Sequence, residues 1–107
     1  MDAKVKKSLL DLCMLSVLNK GDSYGWQIVK DISGVLEVTE STLYPALSRL
    51  EREGYLTTYT EPHGGRLRRY FKITKAGEKH LYRFEDDYDE LERIHRFILN
   101  SIEEVRQ

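Results

Sequence analysis

Residues 39–55 read TESTLYPALSRLEREGY, and this stretch decides the fold. Leu43, Leu47 and Leu50 recur at intervals of four and three residues, which places them on one side of a helix. Gly54 follows the last of these leucines closely and can end the helix, because glycine readily adopts the backbone conformation found just past a helix C-terminus. The pattern predicts an amphipathic helix that buries its leucines.

The other side of this helix carries small hydroxyl groups, one aromatic ring and two cations. Its residues are Ser41, Thr42, Tyr44, Pro45, Ser48, Arg49 and Arg52. Hydroxyl, aromatic and guanidinium groups are suited to contacts with base edges and phosphates. Pro45 lacks a backbone donor, so we expect it within the first turn or two of the helix. Alone, the pattern also fits an ordinary surface helix, so the neighbouring segments decide between the two.

Two further helices are predicted before this stretch. The first, over residues 4–19, is apolar nearly all round, which indicates burial on several sides and a second subunit as part of the cover. The second, over residues 24–33, can be capped by Asp22 or Ser23. We expect its Trp26 to be a core or interface anchor, because tryptophan is costly to leave exposed.

A β-hairpin is predicted after the helix over residues 39–55. Residues 55–60 and 70–74 are rich in aromatic and β-branched side chains, and the glycine-containing turn PHGGR lies between them at residues 62–66. Arginines cluster at the tip and on the returning strand. A charged tip can be a solvated edge that resists strand pairing. After helix, turn and helix, however, a DNA-binding wing is the better interpretation, with the helix over residues 39–55 in the major groove.

The last part of the chain carries an apolar seam with heptad spacing. Its positions, separated alternately by three and four residues, are Leu81, Phe84, Tyr88, Leu91, His95, Ile98, Ile102 and Val105. This spacing predicts a helix from about residue 75 almost to the C-terminus. About 30 residues rising ~1.5 Å each give a length of roughly 45 Å, too long for so small a domain to cover. We therefore expect dimerisation through this helix.

The formal net charge of −1 conceals an asymmetry along the chain. Residues 41–83 hold nine Lys or Arg against four Asp or Glu, a net charge of +5, whereas residues 84–107 hold three against eight, a net charge of −5. DNA binding requires a local basic surface, and the middle segment supplies one. No apolar run approaches the roughly 20 residues of a membrane span. The single cysteine, Cys13, suggests a reducing compartment, so we expect a cytoplasmic protein without a membrane partner.

No catalytic set stands out in the sequence. The three histidines are His63, His80 and His95. The last two are 15 residues apart, not the three or four that bring helical metal ligands together. Cys13 has no second cysteine to pair with. We therefore predict no enzymatic activity, no metal and no cofactor.

Residues 24–28 (YGWQI), 41–54 (STLYPALSRLEREG) and 64–77 (GGRLRRYFKITKAG) occur in this order along the chain. The second of these segments closely resembles the signature helix of the PadR family of bacterial transcriptional regulators. The first resembles the opening of that family's second helix, and the third resembles its wing and the start of its C-terminal helix. The resemblance covers about residues 8–80, and the single helix after the wing is similar to the short subfamily.

The resemblance implies a homodimeric repressor on a palindromic operator, in some members released by a small aromatic or cationic compound. Leu67 stands where the family often has proline, and the last helix lacks the tryptophan that some drug-sensing relatives use. Residues that could still line a ligand pocket are Trp26, Phe84, Tyr88 and Phe97. A tightly packed dimer core without a ligand is the alternative. The last helices could pair with each other or with the partner's first helix.

We predict a mainly α fold with a small β-hairpin: a winged helix-turn-helix domain over residues 1–74 and a C-terminal dimerisation helix over residues 75–107. The predicted partners are double-stranded DNA, a second copy of the chain and a possible small-molecule effector. Predicted DNA-binding residues are Ser41, Thr42, Tyr44, Ser48, Arg49, Arg66, Arg68, Arg69 and Lys72. Predicted dimerisation residues are Leu9, Leu12, Phe84, Tyr88, Leu91, Ile98, Ile102 and Val105. The alternative function is a protein-interaction adaptor with a coiled-coil arm, which the concentrated wing arginines argue against.

Overall fold

The computed structural model describes residues 1–106 and consists of four helices and one hairpin. The elements in chain order are α1 (Ala3–Lys20), α2 (Gly25–Ile32), α3 (Glu40–Arg52), β1 (Leu56–His63), β2 (Arg66–Ile73) and α4 (Lys75–Arg106). The predicted fold class, a mainly α winged helix-turn-helix with a small β-hairpin and a long C-terminal helix, is confirmed. Gln107, the last residue of the predicted dimerisation segment, lies outside the described residues.

One apolar core joins the first three helices to the base of the hairpin. Its residues are Leu10, Met14, Leu15, Leu18, Ile28, Ile32, Leu43, Leu47, Leu50, Leu56 and Phe71. The three leucines of α3 are fully buried, as their spacing predicts. Burying each such side chain stabilises the fold by about 1.5–3 kcal/mol, so the apolar face of α3 fixes which face remains outward.

Local hydrogen bonds define the two ends of α3. Thr39 occupies the N-cap position, but its hydroxyl contacts the hydroxyls of Ser41 and Thr42 rather than a backbone amide. At the other end, the amide of Tyr55 donates to the carbonyl of Leu50, and Gly54 has a φ of 83°. This is the glycine-dependent Schellman arrangement. The helix therefore stops where the chain turns into β1.

The start of α2 differs from the prediction. No side-chain hydrogen bond caps the helix, and Tyr24 occupies the N-cap position. Ser23 instead pairs through its backbone with Phe71 of β2, since the amide of each donates to the carbonyl of the other. Trp26 is 54% exposed, so of the two predicted roles, core or interface anchor, the core role is wrong and the interface role stays a prediction. It lies two residues before the buried Ile28, about 200° around the helix and thus on its opposite side.

The wing is a tight antiparallel hairpin. Gly64 and Gly65 both have positive φ, which is the requirement of a two-residue type I′ turn. The amide and carbonyl groups of Phe71 point away from β1 and bond to Ser23. Because the bonding direction alternates along an antiparallel strand, every second residue of β2 counted from Phe71 does not bond to β1, whereas the residues between them do. Pro62, opposite Leu67, falls between those bonded pairs, and its missing donor costs the ladder nothing.

The helix α4 begins against the core and then leaves it. The amide of Gly77 donates to the Thr74 hydroxyl, so Thr74 caps the N-terminus of α4. Leu81 packs against the core, while residues 82–106 are exposed. The 32 residues of α4 give the chain a long axis of 63 Å against 26 and 21 Å. Within residues 1–106, no helix is both long and apolar enough to cross a membrane.

We expect Gly77→Ala to destabilise the fold by about 1–3 kcal/mol, because an added methyl group would collide with the Tyr55 carbonyl oxygen and with Ile73. That carbonyl is backbone, so it cannot rotate away. Gly34→Ala is the matched control, since no heavy atom lies within 4 Å of its added methyl group. Urea denaturation measures both. Equal stability of the two variants would contradict the close packing of α4 against the turn after α3.

Candidate nucleic-acid interface

The first half of α3 faces outward beside the wing. Ser41 and Thr42 are exposed, and Tyr44 is 41% exposed. A groove of about 300 Å³ lies between this helix, the start of α2 and β2. Its lining residues are Tyr24, Gly25, Trp26, Glu40, Tyr44, Arg68, Arg69 and Phe71. The groove therefore brings the predicted Tyr44 of α3 together with the predicted Arg68 and Arg69 of the wing.

Tyr44 reaches across this groove to α2. Its phenol ring lies so close to Gly25 that a methyl group at that position would overlap the ring. Glycine at this position of α2 therefore makes room for the Tyr44 ring of α3. The contact fixes the Tyr44 ring while part of it stays exposed to a partner. Sequence reasoning missed Gly25, although the adjacent Tyr24 and Gly25 in the quoted motif were the available signal.

The arginines of β2 point to opposite faces of the hairpin, because successive side chains alternate along a strand. The Arg68 guanidinium carbon lies 3.9 Å from the centre of the Tyr24 ring. Arg69, on the other face, donates to Glu51 of α3 at 3.2 Å, and the Thr58 hydroxyl donates to the second oxygen of Glu51 at 2.9 Å. The wing is therefore connected to the start of α2 and to α3. Two other predicted cations, Arg66 at the tip and Lys72 near the base, are exposed.

Arg49 has a different environment from the one predicted. Its guanidinium group donates to Asp11 of α1 at 2.6 Å and to Glu53 at 3.3 Å, and its side chain is only 22% exposed. The hydrogen bond to Asp11 is the main cause that raises the pKa of Arg49 above its ordinary value. The structure thus directs Arg49 toward α1, where it connects that helix to α3. Ser48 is half-buried on the neighbouring part of the helix.

Replacing either Asp11 or Arg49 by alanine is expected to lower the free energy of unfolding by about 1–3 kcal/mol, because Asp11 is left partly buried without Arg49, or Arg49 is left with only its longer contact to Glu53. The double variant should lose less than the sum of the two. Urea denaturation measures these values, with the exposed Glu37→Ala as the control. If Arg49→Ala weakened DNA binding far more than Asp11→Ala did, Arg49 would be a DNA contact as the sequence suggested.

A second set of contacts supports the wing from behind. The Tyr59 hydroxyl donates to Asp22 at 2.7 Å, and this hydrogen bond is the main cause that raises the pKa of Tyr59 to about 12. In an unfolded chain the pKa of tyrosine is about 10. This hydrogen bond therefore stabilises the fold fully below about pH 10, and its contribution disappears as the pH rises through about 12. Tyr59 also stacks on Tyr70, with ring centres 5.4 Å apart.

Comparison with known proteins gives this geometry its context. Residues 14–83 match the model of the transcriptional regulator PadR-like family. The chain belongs to the PadR-like family. A Streptococcus mutans UA159 protein, smu.1704, is 38% identical, with a TM-score of 0.74 over 94% of this chain and 92% of that one. A PadR-like transcription factor from Bacteroides fragilis is 31% identical, with a TM-score of 0.79 over 90% and 95%.

Bacillus subtilis PadR, solved in complex with operator DNA, is 25% identical to this chain. The TM-score is 0.66, and the match covers 70% of this chain and 45% of that protein. Members of the PadR-like family are DNA-binding transcription regulators. The present chain is therefore a transcriptional regulator of this family and not an enzyme.

The candidate ligand residues of this PadR-like chain fall into separate regions of the protomer. Trp26 borders the groove beside Tyr44, and Lys30 lies 5.0 Å from its ring centre. Phe84 borders a second cleft, of about 350 Å³, between α1 and α4. Tyr88 lies next to Phe84, with ring centres 6.4 Å apart, and Phe97 is 80% exposed further along α4. These four residues therefore do not line one common pocket within a single chain.

The predicted dimerisation residues divide between α1 and α4. Leu9 and Leu12 are half-buried on α1, and Leu12 lines the same cleft as Phe84. The seam residues of α4 beyond Leu81 are all exposed, by 37% at Phe84 and up to 82% at Val105. Ile94 and Leu99 are further exposed apolar residues on this helix. Exposing so many large apolar side chains on a helix is unfavourable for a PadR-like chain in water.

In residues 1–106, no three His, Cys, Asp or Glu side chains are grouped so that they could hold a metal ion. His80 stacks on Tyr55 with ring centres 4.5 Å apart. Cys13 is half-buried on α1, and burial raises the pKa of its thiol.

Proposed function

We propose that the chain acts as a homodimeric repressor that binds a palindromic operator. Residues 1–74 form the DNA-binding unit, and residues 75–107 form the dimerisation unit. The observation that carries the proposal is the groove between α3 and the wing, where Tyr44 of α3 and Arg68 of β2 line the same surface. The operator complex of the Bacillus subtilis relative supports DNA as the partner. A DNA-binding regulator acts where the chromosome is, so we propose a cytoplasmic location.

In the proposed complex, α3 enters the major groove with its N-terminal end first. Ser41, Thr42 and Tyr44 contact base edges, because they are exposed at that end. Wing cations, together with Ser48, contact the phosphates on either side. Arg66 and Lys72 are available without rearrangement, whereas Arg69 first gives up its ion pair with Glu51. We therefore assign the larger share of phosphate binding to Arg66, Arg68 and Lys72.

The dimer is proposed from the exposed seam of α4. Apolar side chains recur along this helix from Phe84 to Val105 and remain 37% to 82% exposed in the single chain. Packing the seams of two copies, or one seam against the partner's Leu9 and Leu12, removes this surface from water. Two-fold symmetry then presents two α3 helices to successive major grooves, which is why the operator is expected to be palindromic.

The experiment is fluorescence anisotropy with duplexes that tile the upstream region of the protein's own gene. We expect one duplex to bind with a Kd in the range of about 10⁻⁸–10⁻¹¹ M, at least about 10³-fold tighter than a scrambled duplex of the same length. Its binding site should contain two half-sites with centres about 10 base pairs, or a multiple of that, apart. Equal affinity for all duplexes would contradict a sequence-specific regulator and favour another role for the winged helix.

Release by a small aromatic or cationic compound is a second proposal, favoured by the cleft between α1 and α4 that Leu12, Tyr55 and Phe84 line. A compound bound there changes DNA affinity only if it binds the free and DNA-bound states differently. Anisotropy of the operator complex during titration with aromatic cations and phenolic acids tests this directly. Trp26 emission is a poor probe of such binding, since Trp26 borders the other groove.

A further inference from the structure

We propose that Tyr24 is a positioning residue that holds the Arg68 guanidinium group in the orientation from which it contacts a DNA phosphate. This inference rests on the proposed function. The guanidinium carbon lies 3.9 Å from the centre of the Tyr24 ring, a distance typical of a stacked cation–π contact. Tyr24 is not among the residues that sequence reasoning assigned to DNA binding, and it lies on a different element from the wing that it supports.

The Tyr24 ring is itself held by a column of side chains behind it. Tyr70 meets it edge-on with ring centres 5.8 Å apart, and Tyr59 stacks on Tyr70. The Tyr59 hydroxyl donates to Asp22, two residues before Tyr24. The column thus begins and ends in the short segment between α1 and α2. A ring fixed from behind in this way can fix the group in front of it.

The backbone adds a second, independent constraint. Ser23 and Phe71 exchange two hydrogen bonds, of 3.2 and 2.7 Å, so the residue before Tyr24 is paired with the same strand that carries Arg68. The distance between the Tyr24 ring and the base of the Arg68 side chain is therefore set by backbone pairing. The ring then needs to select only the rotamer of the arginine.

Selecting that rotamer in advance favours binding. An arginine side chain has many rotamers in water, and it loses this freedom when it contacts a phosphate. Because Arg68 already lies on the Tyr24 ring in the free protein, most of this rotamer freedom is lost before DNA binds. The N–H donors at the edge of the guanidinium group stay free for a phosphate. Arg66 lies two residues away on the same face of the hairpin and is exposed near the tip. It therefore provides a matched comparison.

The test is a set of double-mutant cycles for binding to the operator duplex by fluorescence anisotropy, using the full chain. Tyr24→Phe keeps the ring face, and its Kd should stay within about 2-fold of the original. Tyr24→Ala should raise the Kd about 3- to 10-fold. Tyr24→Leu should raise the Kd by the same factor as Tyr24→Ala, but it should destabilise the fold less because leucine keeps a larger apolar side chain. In an Arg68→Ala background, Tyr24→Ala should raise the Kd further by less than about 2-fold. In an Arg66→Ala background, the fold-increases in Kd caused by the two substitutions should multiply.

Three results would overturn the inference. If Tyr24→Phe weakened binding as much as Tyr24→Ala, the phenol hydroxyl would be a direct DNA contact. If Tyr24→Ala and Tyr24→Leu cost as much with Arg68→Ala as without it, Tyr24 would act through the fold alone, which circular dichroism and the melting temperature would also register. If Arg68→Ala bound like the original chain, the wing assignment in the proposed function would fail together with the inference. The first two results leave the proposed function intact, provided that the original chain binds its operator.

Discussion

Changing Ile98 and Ile102 together to aspartate is expected to make the protein monomeric and to lower its affinity for operator DNA by about 100-fold or more. Both side chains lie on the exposed seam of α4. Two carboxylates buried there in a dimer would lose their hydration without gaining partners. The affinity for DNA falls because the two DNA-binding units are no longer linked. In a dimer, binding of the first unit gives the second a high effective concentration at its half-site, and a monomer loses that gain of about 10²–10⁴-fold.

The control for this prediction changes the opposite side of the same helix. Arg93→Asp with Asn100→Asp adds more negative charge than the seam variant but lies about 180° away around α4. It should remain dimeric in sedimentation velocity at micromolar concentration and keep more of its affinity. A seam variant that sedimented as a dimer and bound the operator normally would show that α4 does not hold the subunits together.

Changing Arg66 and Arg68 together to alanine is expected to weaken binding to operator and random DNA alike. If each contacts one phosphate, a dimer loses four contacts. The slope of log affinity against log salt should then become shallower by about 3.6. That corresponds to roughly 4 × 10³-fold weaker binding at about 0.1 M salt, if affinities converge near 1 M. The measurement is anisotropy at several salt concentrations, at a temperature where both proteins are folded.

The matched control removes two arginines that lie far from the wing. Arg93→Ala with Arg96→Ala makes the same change in net charge on the exposed part of α4, where Arg96 forms only an exposed ion pair with Glu92 at 3.6 Å. Its salt dependence should stay close to that of the original chain. Equal slopes for the wing variant and this control would mean that the wing does not contact phosphates and that net charge alone steers binding.

The sequence predicted the elements of the fold because the signals for them are local. The leucines of α3 and the Gly64-Gly65 turn each act over a few residues, and the structure has both where they were expected. The same holds for the long C-terminal helix, whose heptad spacing is visible in the chain itself. The PadR-like family assignment likewise depended on ordered local motifs, and the family match agrees with it.

What the sequence by itself determined, then, is which segments become helices and strands and which face of each is apolar. Only the tertiary structure decided what each polar side chain contacts. Arg49 pairs with Asp11, which is 38 residues away, and Arg68 lies on the ring of Tyr24. Ser23 pairs with β2 instead of capping α2. A periodic apolar pattern fixes local conformation through burial, whereas the partner of an arginine depends on which distant segments packing brings within about 4 Å of it.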